Sequence, residues 1–95
     1  MPAVTRKGDL SSGHGEFNSV ALIEGSPNVF VNGLPCGRNN DFYSSHSDNY
    51  GSSHSGSISG GSSTVFVNGK PIARVGDSVS CGGTVAQGSP NVNAN

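Results

Sequence analysis

The segment Val29-Phe30-Val31-Asn32-Gly33 returns unchanged as Val65-Phe66-Val67-Asn68-Gly69, and this repetition limits what the chain can fold into more than any other feature. Each copy is preceded by a related stretch, Gly25-Ser26-Pro27-Asn28 or Gly61-Ser62-Ser63-Thr64. A truncated third copy, Gly88-Ser89-Pro90-Asn91-Val92-Asn93, lies near the end of the sequence. Units this short cannot bury a core alone and must pack on one another. Three of them imply pseudo-threefold symmetry within one domain spanning residues 1–95.

Such a domain has little apolar material. At 95 residues it buries only about two-thirds of the surface its unfolded chain exposes. Its 32% hydrophobic residues, 15 glycines and lack of tryptophan predict a thin core that needs a staple. A net charge of -1 with 12% charged residues argues against nucleic acid as a partner, because displacing phosphate counterions takes clustered Lys and Arg. The first residues, Met1 to Asp9, contain no apolar signal-peptide core, and no stretch approaches a membrane span. The expectation is synthesis in the cytoplasm without a signal peptide. Nothing points to an oxidising compartment in which Cys36 and Cys81 would pair.

The readable strands are short. Val20-Ala21-Leu22-Ile23, Val29-Phe30-Val31 and Val65-Phe66-Val67 are β-branched or aromatic runs bounded by Gly, Ser, Pro and Asn. Asn32-Gly33 and Asn68-Gly69 accept the positive φ angles of a two-residue hairpin turn, so each copy reads as a hairpin. Alternation along these strands predicts that Val29, Val31, Val65 and Val67 share an inward face. No window has apolar residues at helical spacing, which predicts almost no helix. The run from Tyr43 to Gly61 has the Ser/Gly composition of a flexible linker. It also carries His46, Asp48, Tyr50, His54 and Ile58, which favour a loop ordered by a metal.

After each Asn-Gly comes a tetrad that begins with Pro and ends with Arg, Pro35-Cys36-Gly37-Arg38 and Pro71-Ile72-Ala73-Arg74. The second leads into Gly76-Asp77, and Gly8-Asp9 precedes the first repeat. Together with Gly-Ser-Pro-Asn-Val and Val-Asn-Gly, this order resembles the PAAR-repeat family, named for a Pro-Ala-Ala-Arg tetrad, over essentially the whole chain. Cys36-Gly37 and Ile72-Ala73 depart from the double alanine, and Asn40-Asp41 stands where Gly-Asp would recur. Independently of the family, Pro fixes φ as the strand leaves its hairpin, and Gly or Ala permits close backbone approach. Arg38 and Arg74 are suited to satisfying carbonyls or a carboxylate such as Asp9 or Asp77, which makes them architectural. Cys36, in the first alanine slot, reads as a small core residue.

The resemblance implies an all-β fold, a small conical, three-sided β-hairpin prism with pseudo-threefold repeats and a metal near its apex. The metal reading has a basis in the repeat itself. His14 follows Asp9 by five residues, His46 follows Asp41 by five and Cys81 follows Asp77 by four, while His54 supplies a fourth candidate. Three imidazoles and one thiolate form a closed tetrahedral set suited to Zn2+. The family's comparable three-histidine, one-cysteine site carries over to His14, His46, His54 and Cys81.

The function implied is a non-enzymatic tip that caps the trimeric β-helical central spike of a contractile injection machine and sharpens it for piercing a target envelope. One chain would meet one trimer. The machine is a phage tail or a type VI secretion system, so the protein would be made in the bacterial cytoplasm and assembled into a virion baseplate or a secreted spike tip, with transient membrane contact. With no effector extension after Asn95, any cargo would be a separately encoded effector. The competing reading is a small zinc hydrolase with water as the fourth ligand and Glu16, Glu24 or Asp48 as base. A core this small leaves little room for its cleft.

Overall fold

The computed structural model describes residues 1–13, 18–47 and 53–95. It is all-β: among the described residues there is no helix, and the regular strands are two residues long. They form three antiparallel hairpins, β1 (Phe30–Val31) with β2 (Leu34–Pro35), β3 (His46–Ser47) with β4 (Ser53–His54), and β5 (Phe66–Val67) with β6 (Lys70–Pro71). The first and third share a register, Phe30 opposite Pro35 and Phe66 opposite Pro71. Their turns place Asn32 and Asn68 at φ 54° and 55° and Gly33 and Gly69 at 79° and 77°. Positive φ at both central positions matches the right-handed twist of the flanking strands, which is why Asn-Gly is used here. Val20 to Ile23 is not a regular strand; only Ala21 and Leu22 form bridges, to Leu10 and Tyr43.

The two ends of the chain make a further unit of the same kind. Ala3 bridges Asn93, Val4 N–H donates to Val92 O, and Ala94 N–H donates to Pro2 O. These equal the bonds of Pro35 with Phe30 and of Cys36 N–H with Val29 O. Ala3-Val4-Thr5-Arg6 therefore occupies the place of the two Pro-x-x-Arg tetrads, while Asn95 and Met1 stand where Asn32 and Gly33 make a turn.

The three tetrads close into a ring. Arg6 bridges Cys36, Arg38 bridges Ile72, and Arg74 bridges Val4. At its centre, Gly37 N–H donates to Thr5 O, Ala73 N–H to Gly37 O and Thr5 N–H to Ala73 O, at 3.0, 3.0 and 3.1 Å. Three backbones meeting this closely leave no room for large side chains at the third tetrad position. A Cβ on Gly37 would lie 2.7 Å from Thr5 Cγ2 and 3.2 Å from Thr5 O.

The core has two levels. Val4, Cys36 and Ile72, at the second tetrad position, pack with Val31, Val67 and Ala94. Beyond the ring, Leu22, Tyr43, Ile58, Ala73, Val79 and Val85 form the second cluster. That level is cyclic as well, with Leu22 paired to Tyr43, Ile58 to Val79 and Val85 to Ser11. Principal extents of 39 × 23 × 23 Å, one long axis and two equal short ones, accord with this stacking of three-sided levels.

One expectation about the strands is corrected. Val31 and Val67 are buried, but Val29 and Val65 are 38% and 36% exposed. The reason lies in the residues before them. Ser26 Oγ accepts from the Asn28 and Val29 N–H groups, and Ser62 Oγ accepts from those of Thr64 and Val65. These side-chain turns take each first valine out of the regular alternation.

Candidate metal centre

The arginines that end the tetrads fix the loops that lead from the ring to the second level. Arg38 Nε and Nη2 bind Asp41 at 3.0 and 2.8 Å, and Asp41 also accepts from the Arg38 backbone N–H at 2.8 Å. Arg6 with Asp9 and Arg74 with Asp77 repeat the arrangement. The partner is thus the aspartate three residues on: Arg74 takes Asp77 as expected, whereas Asp9 belongs to Arg6. Between the pair the backbone takes positive φ, 96° at Gly8 and Gly76 and 75° at Asn40. Asn tolerates that region better than other residues with a Cβ, so Asn40-Asp41 replaces Gly-Asp without loss of shape. Each arginine also reaches the carbonyl of the glycine that opens its own unit, Arg38 to Gly25, Arg74 to Gly61 and Arg6 to Gly88.

Past these loops the chain runs through the second level into the β3–β4 hairpin, where His46 stands opposite His54. The Ser/Gly-rich run is therefore paired backbone in its described parts. Tyr43 N–H donates to Gly56 O, and Ile58 N–H donates to Asp41 O. Cross-strand pairing brings the two imidazoles together, with Nε2 atoms 2.7 Å apart and rings edge to face. Cys81 comes from the turn after Val79, packs against the second core cluster and places Sγ 3.9 Å from His46 Nε2.

The donor chemistry fits a metal. His46 Nδ1 lies 2.6 Å from the Asn18 carbonyl, which can only accept, so Nδ1 carries the proton and Nε2 presents its lone pair to His54 and Cys81. A ligating histidine whose other nitrogen donates to a backbone carbonyl is the usual supporting arrangement at metal sites. One donor atom each from His46, His54 and Cys81 lies within 4.8 Å of the others. Bonds of about 2.0–2.3 Å in a tetrahedral zinc site are within reach of small side-chain movements from there.

Of the four residues expected as ligands, the structure brings His46, His54 and Cys81 together, and His14 lies outside the described residues. Cys36 is apart from them, fully buried in the first core cluster, with its thiol pushed up to about 11 by burial first and by the Asp41 charge second. Sequence reasoning missed the Ala3-Val4-Thr5-Arg6 tetrad and the Asn18 carbonyl. The spacing Arg-x-x-Asp at 6–9, 38–41 and 74–77 is a signal that would have revealed the first; a backbone carbonyl leaves none.

Comparison with known proteins agrees with the motif reading. The family model described as PAAR motif matches residues 48–95, a stretch holding the second tetrad, His54 and Cys81. No curated protein matches the chain.

Proposed function

Since the chain belongs to the PAAR-motif family, spike-tip proteins of phage-tail or type VI secretion machines, we propose that it caps the trimeric spike of such a machine and forms its piercing point. The observation that carries this reading is the closed ring of tetrads, Arg6 to Cys36, Arg38 to Ile72 and Arg74 to Val4. It gives a single asymmetric chain three similar faces, which is what one chain needs to sit on a true trimer. The hairpins supply contact surface, since Phe30 and Phe66 are 56% and 57% exposed and Val29, Leu34 and Val65 stand out beside them. Docking covers these side chains and the free edges of the short strands. With a formal charge of -1, the contact depends little on salt.

Zinc is the metal this reading assigns. His46, His54 and Cys81 hold it, with His14 as the fourth ligand on the strength of its place in the repeat. A closed set of this kind makes the ion a cross-link between chain segments, coupling its binding to folding. Of the bases the hydrolase reading calls for, Glu16 and Asp48 lie outside the described residues, and Glu24 accepts from Phe42 N–H. A separately encoded cargo would bind on the flanks.

Mixing the metal-loaded protein with its cognate spike and measuring mass by light scattering tests the cap. One chain per trimer is expected; three chains per trimer, or no complex, overturns it. Elemental analysis should find about one zinc per chain, from the four-ligand count. Iron in its place, or no metal, overturns the zinc assignment.

A further inference from the structure

We infer that Gly56 is a positioning residue for the metal centre: its missing side chain is the space in which the Cys81 thiolate is aimed. The inference rests on the metal reading above. A Cβ built on Gly56 would stand 2.7 Å from Cys81 Sγ, 2.7 Å from Val79 Cγ1 and 3.2 Å from Cys81 Cβ. The residue is buried, and its carbonyl accepts from Tyr43 N–H, so its backbone is held in place by the second level of the core.

The cyclic pattern of that level shows that the backbone at this place does not itself demand glycine. Tyr43 N–H to Gly56 O has its counterparts in Ser11 N–H to Val20 O and Val79 N–H to Gly83 O. Leu10 with Ala21, Phe42 with Ser57 and Ser78 with Thr84 are the matching bridges. In the first unit the same slot holds Val20, whose side chain packs on the second core cluster. The slot thus accepts a β-branched side chain in the first unit and is glycine in the other two, Gly56 and Gly83; Gly56 has no positive φ that would call for glycine, and a Cβ there would meet Cys81.

The two close contacts differ in what they cost to relieve. Sγ is the end of a short side chain, and a change of χ1 moves it away from an added methyl group. That movement also takes it away from His46 and His54. Adding one carbon at Gly56 therefore turns the thiolate out of the ligand set, while the contact with Val79 Cγ1 at 2.7 Å falls on the core. Gly60, on the same chain segment, is the control: a Cβ there meets nothing closer than 3.6 Å.

Cobalt(II) as the probe reads this directly, because a thiolate ligand gives a thiolate-to-cobalt charge-transfer band that histidines alone do not. Wild type and Gly60→Ala should show the band. Gly56→Ala should lose it, as Cys81→Ala does, with Co2+ affinity falling by about 10–100-fold, the range for residues that orient metal ligands. A Gly56→Ala protein with the wild-type band and affinity overturns the inference. If Gly56→Ala does not fold, the same comparison is made between Val79→Ala and Gly56→Ala/Val79→Ala, where the Val79 Cγ1 contact is gone and only the contacts with Cys81 remain. If wild type itself takes up no Co2+, the metal reading falls, and the inference with it; if wild type shows the band and Gly56→Ala keeps it, only the inference falls.

Discussion

Asp41 is the most enclosed of the three aspartates, its side chain 3% exposed, and it answers both the guanidinium and the backbone N–H of Arg38. Removing it leaves a partly buried cation unpaired, a change that costs roughly 3–5 kcal/mol in buried pairs. Asp41→Ala should therefore lower the urea midpoint more than Asp9→Ala or Asp77→Ala, whose pairs are more open to water. Cys36 responds to pH in a way that isolates it. Its thiol is raised in the fold to about 11, so the folded state holds that proton more tightly than the unfolded chain does. The resulting stabilisation is complete below the ordinary thiol value of 9.0 and is lost as pH rises towards about 11, by at most about 1.4 kcal/mol per pH unit. Cys36→Ala should lack this alkaline loss in unfolding experiments between those pH values, and should keep its metal. The core role of Cys36 was legible from its tetrad slot alone. Gly56 was not, because a glycine kept empty by a thiol 25 positions away looks the same in sequence as any glycine of a Ser/Gly run.

At the scale of elements, the Asn-Gly turns do more than reverse the chain. Asn68 Oδ1 accepts from Ser26 Oγ and Arg38 Nη1, and its Nδ2 donates to Asn28. Asn32 makes the same bonds to Ser89, Arg6 and Asn91. Each turn thereby ties its hairpin to another unit of the ring. Asn68→Gly keeps the positive φ and removes only the side-chain bonds, so its cost, about 1–3 kcal/mol for the groups left unpaired, measures the link between units. Chemical denaturation of Asn68→Gly beside Gly69→Ala separates that link from turn strain, since a Cβ on Gly69 meets no neighbour and pays only for its φ of 77°. The hairpins could be read from sequence because Asn-Gly is a local signal. The terminal unit could not, because Ala3-Val4-Thr5-Arg6 keeps of the tetrad only small or β-branched side chains and the arginine, and its partner strand lies at the far end of the chain.

For the whole molecule the core is two small clusters, and the metal proposed for His46, His54 and Cys81 would join the β3–β4 hairpin to the Cys81 turn. Chelation should raise hydrogen exchange first in the described residues between Tyr43 and Gly61, then weaken the entire domain, since structural zinc contributes on the order of 10 kcal/mol in small domains. Equal exchange with and without chelator would show that His46 and His54 do not hold the ion.

The ring of tetrads has a cyclic order but no privileged first member. Asn95 and Met1 stand at the corner where, in the other units, an Asn-Gly turn carries the chain straight on. A passenger polypeptide joined before Met1 and one joined after Asn95 would accordingly leave from neighbouring points on a single corner. Both would hang from that one corner of the three-sided ring, as a pennant hangs from one side of a pole.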